Sequence, residues 1–194
     1  MKRFVMAAAM LGLSSFFVCI APAYPQTITT FDPPNSTYTI SSAINPSGQI
    51  TGYYSNGTGH HGFVRRGDGT FTTFDAFIGT PGGFPSNAFP IDINAAGQVT
   101  GFYQQETVFG SFLRLTNGEI VLFQPSSSDE FLPREEAIEQ GPRPFCPIDG
   151  SAALAINDVG QITGGYTPIL CHGFIRQRDG TTASFDVRSE DNPG

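Results

Sequence analysis

Three histidines, His60, His61 and His172, are the side chains of this sequence best suited to metal ligation or acid–base work near neutral pH. His61 and His172 each open a His-Gly-Phe tripeptide, and His60 adds a third imidazole. No carboxylate or Cys stands at metal-ligand spacing beside them, so a local hydrogen bond at a strand start fits better than a metal centre. Arg65, Arg114 and Arg176 each follow a Phe by two residues. They suit an anionic ligand, but equally a neighbouring carboxylate or an aromatic face. Asp92 is a lone carboxylate at a position occupied elsewhere by Ala43 and Ala155. It reads as a candidate site residue or as a hydrogen-bonded exception. The chain has no nucleophile elbow, P-loop, H-E-x-x-H or EF-hand pattern. No catalytic residue, metal or cofactor is therefore assigned.

These candidates recur because the chain is built from repeats. Ile44-Asn45-Pro46-Ser47-Gly48-Gln49-Ile50-Thr51-Gly52 returns as Ile93-Asn94-Ala95-Ala96-Gly97-Gln98-Val99-Thr100-Gly101. It returns again as Ile156-Asn157-Asp158-Val159-Gly160-Gln161-Ile162-Thr163-Gly164. A second block is His61-Gly62-Phe63-Val64-Arg65, Gly110-Ser111-Phe112-Leu113-Arg114 and His172-Gly173-Phe174-Ile175-Arg176. Asp68-Gly69, Asn117-Gly118 and Asp179-Gly180 form a third. Phe74-Asp75, Phe123-Gln124 and Phe185-Asp186 close each unit, and Phe31-Asp32 copies that ending with no unit before it.

Each block has a physical reading. Asn-x-x-Gly suits a type I turn whose Gly takes φ > 0 as the next strand begins. Asp-Gly and Asn-Gly suggest two-residue hairpins with both residues at φ > 0. Between the turns residues alternate: Ile50, Gly52 and Tyr54 share one face of a strand, and Gln49, Thr51 and Tyr53 the other. A Gly at 52, 101 and 164 implies that a ring or a neighbouring backbone packs directly against it. The pattern predicts three four-stranded antiparallel meanders. The first covers 38–45, 48–55, 62–66 and 70–75. The second covers 87–94, 97–103, 111–116 and 119–124, and the third 151–157, 160–166, 173–177 and 181–186. A lone strand is expected over 27–32. The insertion at 125–150 contains a short helix after Pro133.

The first 23 residues read differently. Met1-Lys2-Arg3 precedes an apolar run from Phe4 to Ile20 and a small-residue site, Ala21-Pro22-Ala23, the pattern of a cleaved secretory signal. The single expected domain is 24–194. Loss of Lys2 and Arg3 takes the net charge from −7 to −9, which disfavours nucleic acid. In an exported chain Cys146 and Cys171 are expected to form a disulfide.

A four-stranded repeat of this length resembles a β-propeller blade. The series I-N-x-x-G-Q-[IV]-x-G, H-[GA]-F and an Asp-Gly turn also resembles the HAF family of predicted extracellular repeats, over residues 27–187. Repeat two departs, with Gly110-Ser111 in place of His-Gly. The resemblance implies an exported, repetitive all-β protein and brings no firm reaction with it. Three units are fewer than a closed propeller uses, so an incomplete or oligomer-completed ring is expected, against a pseudo-threefold β-trefoil or β-prism. In a blade the longer connections, at 55–61, 76–86, 104–110, 125–150 and 167–172, share one rim. His60, His61, His172, Asp92 and the strand tyrosines Tyr54, Tyr103 and Tyr166 are the candidate binding residues. The expected role is a secreted or periplasmic module that binds a protein or an extracellular glycan without catalysis and can pair with its own kind. A secreted polysaccharide-acting enzyme and a structural propeller fragment are the rival readings.

Overall fold

A computed structural model describes residues 27–76, 86–125, 150–167 and 172–185. All regular structure there is β, with no helix and hence none long and apolar enough to cross a membrane. The described residues from Asp32 onward belong to one compact unit, and those up to Phe31 to another. The first meander holds β1 (Tyr38–Ile44), β2 (Ile50–Ser55), β3 (His60–Arg65) and β4 (Phe71–Phe74). The second holds β5 (Ser86–Ile93), β6 (Val99–Gln105), β7 (Val108–Arg114) and β8 (Ile120–Phe123). The third holds β9 (Gly150–Ile156), β10 (Ile162–Thr167), β11 (His172–Arg176) and β12 (Thr182–Phe185). They form a four-stranded sheet and an eight-stranded one; in the latter a single parallel bridge, Phe109 to Gly150, joins the second and third meanders. The described strands form no closed barrel.

The Asn-x-x-Gly turns close as their sequence dictates. Gly48, Gly97 and Gly160 donate to the carbonyls of Asn45, Asn94 and Asn157 at 2.9–3.0 Å. These glycines take φ of 75°, 82° and 84°, where a Cβ is unfavourable. The Asp-Gly blocks depart from expectation. Only Gly69, Gly118 and Gly180 have positive φ, and their N–H groups bond back three residues, to Arg66, Leu115 and Gln177. They are therefore type I turns ending in a glycine bulge, not two-residue hairpins. Asp68 and Asp179 cap them, each accepting from the N–H and hydroxyl of Thr70 or Thr181 at 2.7–2.9 Å.

A bulge in each first strand fixes the partner Gly. Register slips at Ser41/Ala43, at Pro90/Asp92, and in β9 opposite Thr163/Gly164. The carbonyls of Ile40, Phe89 and Ala152 then press on the second strand. A Cβ on Gly52, Gly101 or Gly164 would lie 2.0–2.1 Å from them. Neighbouring backbone is what all three glycines admit, and at Gly164 the Phe174 ring also comes within 2.9 Å of that Cβ position.

Two apolar layers hold the meanders together. Val64 and Ala76 pack with Ala88, Ile93, Val99, Tyr103 and Phe112, joining the first to the second. Leu113 packs with Ala153, Ile156, Ile162, Tyr166 and Phe174, joining the second to the third. Successive residues Phe112 and Leu113 thus serve opposite layers, as strand alternation requires. Each fully buried Phe contributes about 1.5–3 kcal/mol. The closing rings complete both layers: Phe74 meets Phe112 at 5.9 Å and Phe123 meets Phe174 at 6.1 Å, edge to face.

Three further expectations are corrected. Residues 27–33 carry no strand; the prolines at 33 and 34 supply no N–H for a ladder. The connection near 104–110 is no long loop, because β6 and β7 pair out to Gln105 and Val108 around Glu106 and Thr107. The second strands begin at Ile50, Val99 and Ile162, two residues late. There the Gln49, Gln98 and Gln161 N–H groups bond back to the Asn side chains of the turns. The insertion helix and the Cys146–Cys171 bridge lie outside the described residues.

Candidate functional site

At the strand ends away from the Asn-x-x-Gly turns, residues from two repeats meet. Tyr38 opens β1, His60 opens β3, Asn87 stands near the start of β5, and Tyr53, Phe89 and Phe102 stand close by. The His60 ring lies 5.8 Å from Tyr38, 5.7 Å from Tyr53 and 5.1 Å from Phe89. Phe89 packs edge-on to Tyr53 at 5.1 Å and stacks on Phe102 at 5.0 Å. Tyr38 is 43% exposed and the other four rings are half-buried. Asn87 Oδ1 accepts from the His60 backbone N–H at 3.0 Å and pairs with its Nδ1 at 2.8 Å. That pattern assigns the ring proton to Nδ1 and leaves Nε2 to accept the Tyr38 hydroxyl. Burial, and secondarily the nearby Tyr38, hold the Tyr53 phenol above its ordinary range, so it stays a donor at neutral pH. The result is a wall of rings with a phenol, an imidazole and an amide at its edges.

His61, the next residue, points to the opposite face. Its Nδ1 pairs with Asp75 Oδ1 at 2.6 Å and its Nε2 with Asn56 Oδ1 at 3.1 Å. Thr58 Oγ1 is 3.5 Å from the same Nε2, giving the outline of a hydroxyl–imidazole–carboxylate triad. The outline does not work as one. Thr58 aims its hydroxyl hydrogen at Asn56 Oδ1, 2.6 Å away, and not at Nε2, which at 3.1 Å lies nearer to that same oxygen than to the hydroxyl. His61 instead ties the start of β3 to the residue after β4, and its ring lies over Tyr54 at 5.3 Å.

The other repeats explain the pairing. Tyr166 and His172 repeat the Tyr54–His61 contact at 5.3 Å, and the corresponding carboxylate, Asp186, lies outside the described residues. In repeat two Gly110 replaces the His, and Gln124 the Asp. The Tyr103 hydroxyl then lies against Gly110, where a Cβ would be 2.4 Å away, and Gln124 hydrogen-bonds the phenol. Burial raises the Tyr103 phenol despite that bond. Histidine and carboxylate are thus lost together.

The remaining candidates are placed as follows. Tyr54, Tyr103 and Tyr166 are 8%, 2% and 4% exposed and belong to the packed interior. Asp92 cross-links repeats: Oδ1 accepts from Ile93 N–H and Oδ2 from Ile156 N–H, both at 2.9 Å. Arg114 lies over Phe74 at 5.1 Å and Arg176 over Phe123 at 4.8 Å, each reaching back to the preceding repeat. Burial lowers both guanidinium pKa values. His172 is not brought to His60 or His61, and among the described residues no three His, Cys, Asp or Glu side chains gather as a metal site. Tyr38, Tyr53, Asn87, Phe89 and Phe102 were not singled out by sequence. Tyr38 and Asn87 hold the same place in β1 and β5, and Tyr53 and Phe102 the same place in β2 and β6, but the residue types differ between repeats, so no motif marks them. No protein-family model, curated protein or solved structure matches this chain.

Proposed function

We propose that this protein is an exported, non-catalytic binding module, built as a propeller-like stack of three HAF-type blades, that takes an extracellular glycan on the ring wall around His60. The carrying observation is the half-exposed cluster of Tyr38, Tyr53, His60, Phe89 and Phe102, edged by the Tyr38 hydroxyl and the Asn87 amide. Aromatic faces bind the C–H face of a pyranose, while neutral donors and acceptors at the rim suit its hydroxyls. None of those polar groups is a fixed charge, which favours a neutral sugar over an anion.

The blade reading is supported by meanders joined face to face through apolar layers, with the first strands β1, β5 and β9 neighbouring in series. Export rests on the amino-terminal pattern alone. The test is a glycan screen followed by calorimetry with Tyr38→Ala. A neutral oligosaccharide should bind, and the variant should weaken it about tenfold or more while keeping the melting temperature, since Tyr38 is exposed. Failure of every neutral glycan to bind, or full affinity in Tyr38→Ala, would reject the assignment.

A further inference from the structure

We infer that the two ends of the stack are matched halves of one interface, and that a second copy of this chain docks there head to tail. The Asn-x-x-Gly turns carry a hydrogen-bond ladder along the stack. Asn45 Nδ2 donates to Gln49 Oε1 at 2.9 Å and to the Asn94 carbonyl at 3.0 Å. Asn94 Nδ2 donates to Gln98 Oε1 at 2.9 Å and to the Asn157 carbonyl at 3.1 Å. Asn157 Nδ2 donates to Gln161 Oε1 at 2.8 Å, and its second hydrogen meets no protein acceptor among the described residues. At the other end the Asn45 carbonyl takes, among the described residues, the turn N–H of Gly48 alone, where Asn94 and Asn157 take a second donor. Among the described residues the ladder therefore ends in an unspent donor at one end and an unspent acceptor at the other.

Exposure follows the same polarity. Asn45 and Asn94, each covered by the next repeat, are 5% and 2% exposed, while Asn157 is exposed. Ile93 and Ile156, each covered by the repeat before, are 5% and 7% exposed, while Ile44 is 66% exposed. In the closing strands β4 and β8 are half-buried for most of their length, but every residue of β12 is exposed. The geometry realised twice inside the chain is thus left half-made at both ends. The seat follows the turn edge, around Ile44 and Asn45, because farther along that face Phe63 and Tyr54 are already buried at 0% and 8%. Such a contact is heterologous, and it ends in a ring or a filament according to the rotation per copy.

The test uses two blocked variants and their mixture. Ile44→Glu places a charge on the acceptor end, and Asn157→Asp keeps the oxygen that accepts from Gln161 N–H but removes the amide donor. Sedimentation across a micromolar range should show concentration-dependent association of the unaltered protein, weakened about tenfold or more in each variant alone. Mixing the two should restore a dimer, because each brings the end the other lacks. A lone monomer at every concentration, variants that associate like the parent, or a mixture no better than its parts would each overturn the proposal. A melting curve for each variant guards against misfolding; should Asn157→Asp melt early, Asn157→Ser removes the same donor without adding charge.

Discussion

At Gly101 a methyl group would stand 2.1 Å from the Phe89 carbonyl oxygen and 2.9 Å from the Pro90 Cα. Backbone cannot swing aside as a side chain can, so Gly101→Ala already overpacks the site. It should cost about 3 kcal/mol, the upper part of the range for inserted bulk, with a clear drop in melting temperature. An unchanged melting curve would mean that the bulge relaxes freely. A second residue-scale effect concerns acid. The Asp68 carboxyl is held below its ordinary range chiefly by the Thr70 N–H, and the Asp179 carboxyl chiefly by the Thr181 hydroxyl. A lowered carboxylate pKa stabilises the fold above the ordinary aspartate range, and that contribution disappears as pH falls through the lowered value. Repeat two supplies the control, since Asn117 holds the same turn by accepting from Glu119 N–H at 3.0 Å. The double variant Asp68→Asn, Asp179→Asn should therefore fold normally and lose less stability than the parent between pH 4 and lower values. Melting temperature against pH reads this, and parallel curves would exclude the two caps as the source.

At the scale of elements, the Asn ladder decides which turns matter. Asn94 is buried, and removing its side chain leaves the Gln98 N–H without its partner and takes from the Asn157 carbonyl the second of its two donors. Asn94→Ala should cost at least about 2 kcal/mol, by the penalty for stranded polar groups. Asn157→Ala, at an exposed turn, should cost under about 1 kcal/mol in the monomer. Chemical denaturation of both variants tests the difference, and equal losses would show that the ladder adds nothing beyond each local turn. The twelve strands among the described residues were legible in the sequence, because the repeats align Gly, Asn and Phe at equal offsets and the turns require those residues. The ladder was not legible. Asn45 and Asn94 earn their burial from the next repeat's carbonyl, and a turn motif read alone accounts for only one of the two amide hydrogens. The Asp-Gly blocks misled for a related reason: the dipeptide fits two turn types, and the bond from Gly69 back to Arg66 selects between them. The ring wall around His60 was hidden because Asn87 and Phe89 reach it from the neighbouring repeat.

For the whole molecule, charge separates the two proposed contacts. The chain carries a net charge of −7, and identical copies repel at every distance that solvent ions do not screen. The ends proposed to dock offer an amide, a carbonyl and an isoleucine, so they bring no ion pair to offset that repulsion. Screening shortens the reach of the repulsion to about 10 Å at 0.1 M salt, from about 30 Å at 0.01 M. Self-association should therefore strengthen as sodium chloride is raised over that range, with the weight-average mass in sedimentation climbing at fixed protein concentration. Glycan binding should not follow it. A neutral sugar on a wall of rings feels no net Coulomb term, and its affinity should stay level over the same salt series. Association that weakens with salt would place ion pairs in the contact and rule out the turn-edge seat. An affinity for sugar that falls with salt would mean that the ligand is anionic and that the ring wall recognises it through something other than stacking.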